Sequence, residues 1–248
     1  MPSSSGPWTE IDVAGHTCDV YEPAKPNEHG FAVIYLHGVH LQRLVGNPAF
    51  EQPFERHGLR VLCPRTARSW WTDRICSEFD PAVTAERYVT QSIVPYAAER
   101  WGTRPPQLGL LGTSMGGQGA LRFAFKYPSL FPVVAALAPA IDYQLRWDRD
   151  DTLPEMYRDE EQARQDTAIL HVHPLNWPRN IFFCCDPTDD PWHTSSERLR
   201  MKLAALGIPH EYDLETEGGG HGFGYYNKMA DKALAFMVER LERERLRV

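Results

Sequence analysis

Ser114 stands between Gly112 and Gly116 in "LLGTSMGGQGALRFAFKYP", residues 110–128. Glycine takes up backbone conformations that cost other residues energy, so the pair marks a tight turn presenting one hydroxyl. Residues 112–116 read G-x-S-x-G, with an apolar strand-like run before and a helical pattern after. The pattern alone is common; in a strand–turn–helix setting it points to an exposed nucleophile. The following helix aims its N-terminal dipole at the hydroxyl. The bland alternative is a packing turn of small residues.

A serine hydroxyl is a poor nucleophile until a base takes its proton, and that base is usually a histidine oriented by a carboxylate. For a nucleophile on such a turn the chain order is Ser, acid, His. His221, in the glycine-rich "EGGGHGFGYY", satisfies that order. The acid falls in "DPTDDPWH", after the apolar run "NIFFCC". Asp189 is assigned, with Trp192 three residues on to pack beneath the loop; Asp190 and Asp186 are the alternatives. The remaining aspartates serve turns and the start of the next helix. Asp142 is a further, weaker candidate for the acid.

Attack on a carbonyl makes an oxyanion that needs preorganised N–H donors. The backbone N–H of Met115 is one, and that of Val39, after His37-Gly38, is the other. His37 itself reads as a structural histidine. The loop "RSWWTDR", residues 68–74, lies on the same side, where sites form in open α/β sheets. Trp70 and Trp71 are candidate pocket walls, and Arg74 a candidate holder of an anionic substrate group. A packed aromatic corner with a solvent arginine is the alternative. His171 and His173 have the alternate spacing of half a metal site in a strand, but no third ligand is near in sequence. No metal and no cofactor is expected.

The elements that must position these residues follow from short apolar runs alternating with helical patterns. Strands are expected at 31–38, 59–64, 107–112, 131–139, 180–185 and 209–215. Helices are expected before Gly58, over 81–101 with a break or kink at Pro95, from Ser114 to Tyr127, and at about 194–206 and 226–246. Strands apolar on both faces mean a mostly parallel sheet with helices on each side, an α/β fold. Residues 9–14 and 17–23, separated by Gly15-His16, alternate as an antiparallel hairpin at the edge. Residues 140–179 are polar, acidic and Pro-punctuated, and read as a partly helical, cap-like insertion in a single domain over 1–248.

The 248 residues are 42% apolar and 24% charged, with net charge -7, ordinary for a globular domain. The acidic balance and the lack of a basic cluster argue against nucleic acid and anionic membranes as partners. No apolar run is long enough to span a bilayer, and "MPSSSGPWTE" lacks the pattern of a secretory signal. The five cysteines are odd in number and form no C-x-x-C pair, which points to reduced thiols and a cytoplasmic setting. A homo-oligomer is left open.

With "YLHG" at 35–38, "GTSMGG" at 112–117, "CDPTDD" at 185–190 and "GGGHGF" at 218–223, the sequence resembles an α/β-hydrolase-fold serine esterase over nearly its whole length. The wording "TSMGGQGAL" is similar to the small enzymes of the esterase D and putative-esterase group. The resemblance implies hydrolysis of a small carboxylic ester or thioester without metal or cofactor. The insertion at 140–179 and the crowded acid loop depart from that group. The same machinery serves amide or peptide cleavage and acyl transfer, since leaving-group choice lies in pocket shape. A non-catalytic binding protein that retains the fold is the rival from outside enzymes.

Overall fold

Each expected apolar run forms a strand. In the computed structural model, which describes residues 7–247, these are β1 (Trp8–Val13), β2 (His16–Tyr21), β3 (Ala32–Leu36), β4 (Arg60–Pro64), β5 (Leu108–Thr113), β6 (Val133–Leu137), β7 (Asn180–Cys184) and β8 (Glu211–Asp213). The residues 1–6 read above for targeting lie outside the described residues. The sheet order is β1-β2-β4-β3-β5-β6-β7-β8. From β4 to β8 neighbouring strands are parallel, while β1 and β2 run antiparallel. This is the α/β-hydrolase fold. The hairpin turn sits one residue earlier than expected, at Ala14-Gly15, because both take positive φ (52° and 85°), as a two-residue hairpin loop requires.

The helices are α1 (Pro48–His57), α2 (Ala85–Tyr88), α3 (Val94–Trp101), α4 (Met115–Lys126), α5 (Thr152–Met156), α6 (Glu160–Gln165), α7 (Trp192–Ala205) and α8 (Phe223–Arg245). Asn47 caps α1 and accepts from the Ala49 N–H, and Gly58 ends it in the left-handed region, the expected stop signal. The stretch around Pro95 does not break. A π turn at Val89–Ile93 joins α2 to α3, and Pro95 falls in the first turn of α3, where its missing N–H leaves no bond unmade. Gly109 faces Met237 of α8, while Gly112, three residues on, faces the start of α4. Alternation along a strand therefore puts helices on both faces of the sheet.

β3, β5, β6 and β7 are buried throughout, as strands covered on both sides must be. The chain leaves β3 toward β4 and returns to β5 on the other side. The carboxyl ends of β3 and β5 thus diverge at a crevice, the usual ligand position of such sheets.

Residues 140–179 are helical in part: α5, α6 and two 3-10 turns, Tyr143–Arg146 and Ala168–His171. Buried Arg122 on α4 fastens this segment by binding Asp166 (Nη2–Oδ1 2.7 Å) and, on its other side, buried Glu86. Lys126 and Tyr127 bond the same glutamate, and Tyr157 and His171 bond Asp166. Every charge in the group has a partner, the condition under which burying charge is tolerated.

Candidate active site

Ser114 occupies φ 56°, ψ -119° between β5 and α4, a region L-residues avoid unless the surroundings impose it. Three backbone bonds impose it: the Ser114 N–H donates to Leu137 O (3.0 Å), and Ser114 O accepts from Ala140 and Gln118. The flanking glycines are there for space. A Cβ on Gly112 would lie 2.0 Å from Gly116 O, and one on Gly116 would lie 1.8 Å from Leu36 O. Helix, turn and β3 approach too closely for any side chain.

The Ser114 hydroxyl donates to His221 Nε2 at 2.8 Å. The opposite ring nitrogen, Nδ1, donates to Asp189 Oδ2 at 2.7 Å. A carboxylate can only accept, so the proton sits on Nδ1 and leaves Nε2 free to take the serine's. Ser114 and Asp189 are buried, and His221 is partly open. The Cys185 thiol also donates to Asp189 Oδ2, at 3.7 Å. Burial and the neighbouring Asp189 charge push that thiol well above its ordinary pKa, so it stays protonated.

The other aspartates have different partners. Asp186 Oδ2 accepts from the N–H groups of Gly218 (2.5 Å) and Gly220 (2.9 Å), and Oδ1 accepts from Thr188. These donors hold its carboxyl well below the usual range, against the cost of burial. Asp190 accepts from Thr194 Oγ1 in the first turn of α7. Asp142 is held by Ser195 (2.5 Å) and Arg198 of α7.

Gly38 brings the loop after β3 against Ser114: a Cβ there would lie 3.2 Å from Ser114 Cβ. The Met115 N–H opens α4, and the Val39 N–H follows Gly38. Among the described residues neither donates to another group. His37 Nε2 accepts the Thr66 N–H (3.1 Å), so its Nδ1–H donates to Gly38 O (3.0 Å). Burial lowers its pKa to about 4, and the neutral ring fastens the loop.

Trp70, Trp71 and Arg74 do not line the cavity at Ser114. Both indoles are buried: Trp71 donates to His37 O (3.1 Å), and Trp70 donates to Asp150 and stacks on Tyr143 at 5.1 Å. Large flat side chains gain more from that packing than from a wet wall. Arg74 is exposed and lies over the Tyr157 ring at 5.3 Å. His171 and His173 are not in a strand. His171 bonds Asp166, and His173 Nδ1 accepts from Leu175 N–H. Among the described residues no cluster of His, Cys, Asp or Glu is built to hold a metal.

The cavity beside Ser114 is about 70 Å³ and is walled by Gly38, Val39, His221, Phe223 and Tyr226. Larger hollows lie elsewhere, around Arg179 and Arg247, remote in sequence from Ser114 and lacking a nucleophile–base pair. Phe223 and Tyr226 carry no site motif: Phe223 closes the glycine-rich stretch, and Tyr226 matches the helical period of α8. Their positions, Phe223 two and Tyr226 five residues after His221, are the signal they carry.

A family model described as "Putative esterase" matches residues 16–235. The chain is 27% identical over 150 residues to S-formylglutathione hydrolase of Bos taurus, covering 52% of this chain and 53% of that protein. It thus spans about half the length of that curated relative. An S-formylglutathione hydrolase from Agrobacterium tumefaciens superposes with TM-score 0.75 at 18% identity, over 94% of both chains. The fluorophosphonate-binding serine hydrolase FphF of Staphylococcus aureus gives 0.73 at 16%, over 94% of this chain and 99% of that one. At these identities the structural likeness speaks for the fold. No helix among the described residues is long and apolar enough to cross a membrane.

Proposed function

The chain belongs to the "Putative esterase" family, and on that premise we propose that it is a serine hydrolase of carboxylic esters or thioesters working through an acyl-enzyme. The observation that carries this reading is the unbroken chain Ser114 Oγ–His221 Nε2 and His221 Nδ1–Asp189 Oδ2. Ser114 Oγ attacks the acyl carbon while His221 Nε2 takes its proton, and Asp189 stabilises the imidazolium that forms. The Met115 and Val39 N–H groups receive the oxyanion. The leaving alcohol or thiol takes the proton from His221. Water, deprotonated by the same ring, then releases the acid and restores Ser114.

The small cavity favours short acyl groups. The name S-formylglutathione hydrolase, carried by relatives, puts a thioester of a one-carbon acyl group on the list to try. A cytoplasmic setting suits the five unpaired thiols. The test is turnover of p-nitrophenyl acetate, butyrate and octanoate beside a short-chain thioester. Acetate should be fastest of the three, and Ser114→Ala should cost about 10⁴-fold or more in turnover. A loss of only a few-fold contradicts the mechanism.

A further inference from the structure

Helix α8 begins two residues after His221 and returns Tyr226 to the Ser114 cavity. The Tyr226 ring is 4% exposed and stands edge-on to the His221 ring at 5.7 Å and 87°. Its hydroxyl comes up to the Ser114 side chain, which itself bonds His221. Other phenols near the centre of the fold point away from this cavity. Tyr35 bonds Thr113 (2.8 Å), and Tyr143 bonds Tyr157 (2.8 Å). Tyr225, adjacent in sequence, turns toward Cys184, and its buried hydroxyl has no hydrogen-bond partner among the described residues. Tyr226 places a phenol donor in the cavity that holds the nucleophile.

Resting on the Ser114 reading above, we propose that Tyr226 is a catalytic residue whose hydroxyl is a third hydrogen-bond donor to the tetrahedral intermediate. The cavity of about 70 Å³ is lined by Gly38, Val39 and Tyr226 together, so an oxygen held within it lies near all three. In the step itself the Ser114 Oγ–acyl bond forms. The carbonyl π pair moves to oxygen, and the serine proton goes to His221 Nε2. Tyr226 keeps its proton throughout and only donates a hydrogen bond. Burial and the nearby Asp189 push its pKa far up, so it is a donor and not a base at any working pH. A donor placed in advance where charge develops is the arrangement that lowers such barriers most.

The test is Tyr226→Phe, which keeps the ring against His221 and removes one oxygen. Three readouts are taken together: steady-state kinetics on p-nitrophenyl acetate, the rate of fluorophosphonate adduct formation, and thermal unfolding. The expected result is a fall in kcat of about 100- to 1000-fold, the range set by loss of a single oxyanion donor. KM should change little, fluorophosphonate labelling should slow in parallel, and the pH profile should keep its shape. An unchanged kcat with a raised KM overturns the proposal, because the hydroxyl would then bind substrate and transition state alike. Full activity with a lowered Tm overturns it too, leaving a packing role. If wild type labels and Tyr226→Phe labels equally fast, this inference alone fails. If wild type takes no adduct, the Ser114 reading fails and this inference with it.

Discussion

Asp186 accepts the Gly220 N–H at 2.9 Å, one residue before His221. The carboxylate that lost the contest for the histidine ring therefore holds the loop on which the histidine stands. Asp189 bonds the ring and Asp186 bonds its backbone support. Asp186→Asn replaces an acceptor with an amide whose NH₂ faces N–H donors. We expect stability to fall by about 1–3 kcal/mol, the usual cost of a buried group left unpaired. Turnover should fall as well, because a misplacement of His221 by even 1 Å is costly. Urea unfolding and p-nitrophenyl acetate kinetics read the two effects. A variant with wild-type values of both contradicts this role.

His37 gives a pH dependence with a definite sign. The folded protein holds its imidazole neutral down to about 4, while an unfolded histidine protonates near 6.5. Between those values the unfolded chain binds the extra proton. Stability therefore drops as pH falls through that window and is unaffected by this group above it. Tm measured from pH 7 to 4 should show the decline, and His37→Gln should flatten it. A slope identical in the two proteins contradicts the assignment.

Gly116→Ala should be far worse than an ordinary glycine-to-alanine change inside a helix. The new Cβ would meet Leu36 O at 1.8 Å, and backbone cannot move aside as a side chain can. Overpacking of this kind costs about 1–3 kcal/mol, occasionally more. Since the clash pushes α4 from β3, the Ser114 turn moves too, and labelling of folded protein by a fluorophosphonate should slow. Denaturant midpoints and labelling rates test both; unchanged midpoints contradict the packing account.

Arg122→Met breaks the ionic group that fastens residues 140–179. It leaves Glu86 and Asp166 without their shared cation. Breaking one side of a buried pair costs about 3–5 kcal/mol. The segment lines no part of the Ser114 cavity, so molecules that remain folded should still label at Ser114. Equal midpoints in wild type and variant would contradict a structural role for the network.

How far the site was legible depended on whether a residue's role is local. Gly112, Ser114 and Gly116 carry their meaning in five consecutive positions, because strand, turn and helix must fit there. The strand runs are legible because burial on both faces leaves only apolar residues, and the chain order of the elements then fixes the fold. Asp186 and Asp189 follow β7 within five residues, and nothing local decides between them. The return of the 218–221 loop decides, giving one its backbone and the other its ring. Trp70 and Trp71 were correctly placed on a carboxyl-end loop. Their burial was not legible, because Trp70's partners, Tyr143 and Asp150, lie more than seventy residues on. Tyr226 matches the helical period of α8 and so looks like any core aromatic. Only its turn toward Ser114 distinguishes it.

The central claim is that Ser114 is an activated nucleophile, and intact-mass analysis after fluorophosphonate treatment tests it most directly. The reagent needs an activated serine and little substrate specificity. Wild type should gain the mass of one adduct and Ser114→Ala none. A folded wild type that gains no mass, or a Ser114→Ala protein that gains the same mass, contradicts the account.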